Sequence, residues 1–196
     1  LPDAAARTFF GTAQLTFELL QASRRITVNA ADLDIASAQL ADGLMAGIEP
    51  DAGRQQVSFV FAQPLAAGTH QLTVRYRGRI FDAASGMFIS DFATPDGRLQ
   101  LVSTQLESAA ARQVAPMWDE PDRKAVFRLS VTGPAGQTAI SNMPVDSITS
   151  HGDGRITTHF LPTPRMSSYL LHFSLGEFEQ LAGPAVQAPV RLGVAR

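Results

Sequence analysis

The sequence predicts an all-β protein, an antiparallel β-sandwich, and three observations carry that expectation. Apolar residues alternate with polar ones at a period of two in segment after segment, as half-buried strands require. Turn chemistry punctuates these segments at short intervals. No stretch keeps a helical period for longer than about two turns. Many short strands without intervening helices fold as packed antiparallel sheets rather than as an α/β layer.

The elements follow in chain order. Ala13, Leu15, Phe17 and Leu19 alternate with Gln14, Thr16 and Glu18. Ile26, Val28 and Ala30 come next, then Leu33 and Ile35, then Val57, Phe59 and Phe61. Leu72, Val74 and Tyr76 alternate with Gln71, Thr73 and Arg75. Further strands are expected through Ala125, Phe127, Leu129 and Val131, through Ile156, Thr158 and Phe160, and through Leu171, Phe173 and Leu175. The turns between them are Pro50-Asp51-Ala52-Gly53, Ala67-Gly68, Pro95-Asp96-Gly97, Gly133-Pro134-Ala135-Gly136 and Gly152-Asp153-Gly154. The one helical piece expected is a turn or so over residues 108–112.

Composition narrows the function. With 196 residues the chain can bury a substantial core as one domain over 1–196. Its net charge of -2, with both signs interspersed, gives no electrostatic footprint for nucleic acid or an anionic membrane. No apolar run approaches the ~18 residues of a membrane-spanning helix. The start, Leu1-Pro2-Asp3, lacks the basic and apolar regions of a signal peptide. The absence of cysteine excludes disulfides and Cys-ligated metals. Such a Cys-free, Lys-poor, Ala-rich composition suits a bacterial protein of cytoplasm or periplasm alike.

Four histidines, His70, His151, His159 and His172, offer no metal pattern: none precedes Glu and no two lie at i, i+4. His159 and His172 occupy polar-phase positions of their strands and are expected to be solvated. There is no Gly-x-Ser-x-Gly of a serine hydrolase and no phosphate-binding glycine fingerprint. No catalytic residue is assigned. Two acidic segments stand out. In Thr104-Gln105-Leu106-Glu107, the Thr-x-x-Glu spacing fits a capping box at the start of a helical turn. In an extended segment the same spacing lets Gln105 and Glu107 face one cleft while Leu106 points into the core. In Trp118-Asp119-Glu120-Pro121, adjacent carboxylates point to opposite faces and are poorly placed to share a proton. A structural role fits better: Trp118 filling core volume, Asp119 and Glu120 bonding backbone donors or a nearby Arg.

These segments also carry a family resemblance. Thr104, Gln105 and Glu107, followed by Ala111, Arg112, Pro116, Trp118, Asp119, Glu120 and Pro121, resemble the Thr-Gln-x-Glu…Ala-Arg-x-x-x-Pro-x-Trp-Asp-Glu-Pro signature of zinc aminopeptidases of the aminopeptidase N and leukotriene A hydrolase family. Ser141-Asn142-Met143-Pro144 is similar to a second family motif. Thr163-Pro164-Arg165-Met166-Ser167-Ser168-Tyr169-Leu170, with Gly176-Glu177-Phe178-Glu179, is similar to two more. Met117 stands where relatives commonly have Cys, an exchange of soft apolar fillers.

The resemblance covers nearly the whole chain and implies the saddle-like N-terminal β-domain of such an enzyme. It implies that Glu107 supplies a carboxylate for the substrate's free amine and that Gln105 walls the pocket for the first side chain. Met166 and Tyr169 are possible cleft-edge residues. Neither the family's His-Glu-x-x-His nor its Gly-x-Met-Glu-Asn is present. This chain is therefore expected to hold no metal and to be inactive alone. Zinc would belong to the parent enzyme, whose catalytic domain would be the docking partner and whose substrate would be a peptide with a free N-terminus. Relatives have a strand before an element like Pro2-Asp3, so the first strand is apparently missing and an association tendency follows. Ala188-Pro189-Val190-Arg191-Leu192 resembles the last strand before the catalytic domain. An inactive scaffold of the same fold and a stand-alone β-sandwich binding module are the alternatives. Side-chain preference and epoxide chemistry are not readable from this segment.

Overall fold

The computed structural model describes residues 2–94, 97–182 and 191–195. It is built of strands, and every ladder between them is antiparallel. The first sheet has the order β1 (Pro2–Asp3), β2 (Thr8–Leu19), β7 (Gly68–Arg79), β4 (Asp34–Leu40). A second runs β3 (Ser23–Asn29), β6 (Gln56–Leu65), β5 (Gly47–Asp51). The alternation read in the sequence sets which face each strand buries. Leu72, Val74 and Ala38 from the first sheet join Ile26, Val28, Val57, Phe59 and Phe61 from the second in one core.

Two glycines make room for aromatic rings across the β2–β7 ladder. Gly11 lies opposite Tyr76, and Phe9 opposite Gly78. A Cβ on Gly11 would sit 2.3 Å from the Tyr76 ring, and one on Gly78 2.2 Å from Phe9. The two rings meet edge to face at 6.2 Å. Burial there pushes the Tyr76 hydroxyl above its ordinary titration range.

The remaining sheets frame the segments singled out above. One has the order β11 (Thr138–Ser141), β14 (Phe173–Gly176), β9 (Gly97–Gln105), β8 (Gly86–Thr94). Another runs β10 (Ser130–Pro134), β13 (Arg155–Phe160), β12 (Val145–Ser150), and β15 (Phe178–Ala182) pairs with β16 (Arg191–Ala195). Met87, Ile89, Val102, Val131, Phe160, Phe173 and Leu175 extend the same core into these sheets.

Two expectations need adjustment. The strand expected over Ala125, Phe127, Leu129 and Val131 is regular only from Ser130. Before that, single bonds replace a ladder: Ala125 with Met166, Thr163 N to Phe127 O, and Phe127 N to the Thr163 hydroxyl. The facing segment contains Pro162 and Pro164, which have no N–H to give. The helical piece expected over 108–112 is a 3-10 turn at Ala111–Gln113. From Gly11 to Leu19, β2 pairs with β7 alone among the described residues, since β1 reaches only Thr8 and Phe9. Part of the Pro95-Asp96-Gly97 turn and Ala188-Pro189-Val190 lie outside the described residues.

Candidate functional site

β9 carries Thr104 and Gln105 to the end of its sheet, with Met87 opposite Thr104 and Gly86 opposite Gln105. Beyond the strand the extended alternation continues for two residues. Leu106 is buried, while Gln105 and Glu107 are exposed on either side of it. The Glu107–Ser108 peptide is cis. The chain then turns tightly: Ala110 N donates to Leu106 O at 2.9 Å, and the 3-10 turn Ala111–Gln113 follows.

Thr104 does not cap this turn. Its hydroxyl accepts from Phe173 N at 3.0 Å and lies 3.3 Å from Phe173 O. The β14–β9 ladder pairs Leu175 with Val102 and Ser174 with Ser103 and stops before Thr104, so the Thr104 side chain takes over where main-chain pairing ends. The capping alternative for Thr104-x-x-Glu107 is thereby removed. His172 closes the arrangement. Its Nδ1 lies 3.1 Å from the Thr104 carbonyl, which can only accept, so Nδ1 carries the proton. Nε2 lies 3.2 Å from Ser174 Oγ, and Ser174 is paired with Ser103 at 2.7 Å. The expectation of a solvated His172 is corrected: neighbouring hydroxyls and a carbonyl occupy both ring nitrogens, and the ring is half-buried. His159 is likewise half-buried, between Ser130 (2.8 Å) and Thr149 (3.2 Å).

The Trp118-Asp119-Glu120-Pro121 segment serves structure. Trp118 is half-buried and meets Phe17 edge to face at 5.4 Å. Asp119 is buried, and its Oδ2 accepts from Arg112 N at 3.1 Å and Arg112 Nε at 3.0 Å. Its Oδ1 accepts from the Ser168 hydroxyl. Asp119 N donates to Asn29 Oδ1, and Met117 is bonded both ways to the Asn29 backbone. Asp119 thus does what the sequence suggested for it, whereas the Glu120 side chain is exposed.

Glu107 lines a shallow depression of about 250 Å³ together with Ser85, Gln55, Arg112 and Gln113. The Ser85 hydroxyl donates to Gln113 Oε1 at 3.1 Å, and Arg112 Nη1 lies 3.5 Å from Gln55 Oε1. Among the described residues the Glu107 carboxylate has no hydrogen-bond or ion-pair partner. Gln105, Met166 and Tyr169 do not line this depression. Met166 is half-buried and bridges Ala125 through its backbone, and Tyr169 sits in the 3-10 turn Ser168–Leu170. Sequence reading did not single out Gln55, Ser85 and Gln113, which come from the turn before β6, the bend before β8 and the 3-10 turn Ala111–Gln113 and share no spacing. Among the described residues no group of three or more His, Asp or Glu side chains could hold a metal. No helix of the described residues is long and apolar enough to cross a membrane.

Residues 1–170 match the Peptidase M1 N-terminal domain family. The chain belongs to that family. Within it, this M1 N-terminal domain is 37% identical to aminopeptidase N of Acetobacter pasteurianus over 166 residues, covering 84% of this chain and 47% of the relative. It is 31% identical to aminopeptidase M1-B of Oryza sativa subsp. japonica, over 95% of this chain and 21% of the relative. It is 30% identical to human endoplasmic reticulum aminopeptidase 1, over 89% of this chain and 20% of the relative. The M1 domain thus spans about half of the first of these relatives and about a fifth of the other two.

Proposed function

We propose that residues 1–196 form one substrate-gripping domain of a zinc-dependent aminopeptidase, with Glu107 receiving the free amine of a peptide substrate. The observation that carries this reading is an exposed carboxylate without a partner of its own, on a segment anchored on both sides by buried groups. A protonated amine loses much hydration in a closed site, and a fixed carboxylate offsets that loss. An internal peptide bond has no such charge to offer, so the clamp would favour N-terminal residues. Gln105, exposed one turn of the pleat earlier, would wall the pocket for the first side chain. Met166 and Tyr169 would lie toward the cleft edge.

The zinc of the family has no fitting donor set among the described residues, so it would be held elsewhere in the enzyme, in a catalytic domain that docks on this one. What this chain contributes is binding and orientation. Alone it should hydrolyse nothing, and zinc-dependent hydrolysis by the pure chain would overturn that. Glu107→Ala in the enzyme is expected to lower kcat/KM on free peptides by the ~2–5 kcal/mol typical of removing one partner from a buried charge pair, roughly 30- to several thousand-fold. An unchanged kcat/KM would take Glu107 out of the site. An enzyme whose wild-type form cleaves no peptide would leave the scaffold alternative standing instead.

A further inference from the structure

The buried Asp119 carboxylate is used on both sides. One oxygen receives both the main-chain N–H and the Nε–H of Arg112, five residues after Glu107, at 3.1 and 3.0 Å. The other receives the hydroxyl of Ser168, itself buried, at the start of the 3-10 turn that carries Tyr169. The Asp119 main-chain N–H is fixed in turn to Asn29 on β3, and its carbonyl lies 3.3 Å from Arg112 Nη2. Arg112 O accepts from Ala31 N at 2.9 Å, so the far end of the Glu107 turn is tied to the connection that follows β3 as well. A single buried carboxylate therefore links the Arg112 turn to Ser168, which lies 49 residues beyond Asp119 in the sequence.

We propose that Asp119 is a positioning residue for substrate binding: through Arg112 it sets the place of the Glu107 carboxylate, and through Ser168 it locks the Tyr169 turn to the same point. The proposal rests on Glu107 being the amine clamp. A clamp is sensitive to placement, because a displacement of about 1 Å can cost up to a hundredfold in the reaction it serves. Core packing could also hold the turn, but packing is non-directional, whereas the Arg112 N–H and Nε–H are aimed at one oxygen.

Asparagine at 119 should preserve the link. Its one carbonyl oxygen can keep the Arg112 donors, and the Ser168 hydroxyl can rotate to accept from the amide. Alanine removes both arms, and Ser168→Ala removes one.

The test is a double-mutant cycle in the enzyme containing this domain, read as inhibition by leucinol and by its amine-free counterpart 4-methylpentan-1-ol. Glu107→Ala should weaken leucinol and leave the amine-free alcohol unchanged. Asp119→Ala should weaken leucinol roughly ten- to a hundredfold, again sparing the alcohol, and add nothing in the Glu107→Ala background. Asp119→Asn should recover most of the loss. If Asp119→Ala does not fold, Arg112→Lys, which keeps the charge but removes the Nε–H aimed at Asp119, carries the same cycle with a smaller loss. Equal weakening of both inhibitors, or a loss that persists in full without Glu107, would overturn the positioning role and leave the clamp intact. Leucinol binding untouched by Glu107→Ala would overturn both.

Discussion

In the sheets built on β2, β7 and β6 the buried contacts are apolar and cross-strand: Phe59, Phe61, Leu72, Val74 and Val28 are almost fully covered. Between Thr104 and Asp119 the buried groups include a hydroxyl and a carboxylate, the latter bonded to a partly buried guanidinium, all through aimed hydrogen bonds. Apolar burial is non-directional and tolerates small shifts, so it makes a scaffold. Polar burial costs free energy unless each group meets its partner, so it specifies one geometry. In the M1 domain the second kind of interior flanks Glu107 along the chain, at Thr104 before it and Arg112 after it.

That contrast can be broken from either side. The largest effect expected on stability is at Phe59, fully buried between the sheets. Phe59→Ala should cost about 3–5 kcal/mol in urea denaturation, and a loss below about 1 kcal/mol would mean that the scaffold does not depend on this packing. Glu107→Ala should invert the pattern, with the catalytic loss given above and an unchanged denaturation midpoint. A large stability loss there would make Glu107 structural. Thr104→Val keeps the shape but leaves Phe173 N without its acceptor. About 1–3 kcal/mol of stability should go with it, and hydrogen exchange should quicken at Phe173 before it does at Val74. Uniform quickening would blur the distinction between the two interiors.

The smallest effect is at the Gly152–Gly154 turn. There the Arg155 guanidinium, bonded to Asp153 at 2.8 Å, holds that carboxyl below the usual carboxylate range. A depressed native pKa stabilises above the unfolded carboxylate's range and loses that contribution as pH falls through the native value. Both groups are exposed and screened. Asp153→Asn should therefore shift the midpoint barely at neutral pH, and not at all in strong acid. A sizeable shift would give this surface turn a role the comparison denies it.

Much of the scaffold was legible because its strands obey period two. Leu15, Phe59 and Val74 fall on the faces the alternation assigned to them, and Leu106 is buried as its place between Gln105 and Glu107 implied. The β8–β9 hairpin was not read as strands. Met87-Phe88-Ile89 runs apolar without alternating, and Ser103 and Thr104 are polar residues at buried positions. Their hydroxyls are satisfied by Ser174 and Phe173, partners some seventy residues away that no local window contains. The same limit hid His172, whose polar phase suggested water where the fold supplies Thr104 and Ser174.

By itself the sequence determined an all-β chain, the faces of its main strands, the M1 motifs and a structural role for Asp119 on backbone donors or a nearby Arg, because each is written in local period or short spacing. Tertiary structure alone decided that Thr104 completes a sheet instead of capping a turn. It also decided that Gln55, Ser85 and Gln113 surround Glu107, and that Asp119 ties the Glu107 turn to Ser168. Those outcomes depend on which distant donors and acceptors burial brings within about 3 Å of each other, and that is settled only when the sheets close around them.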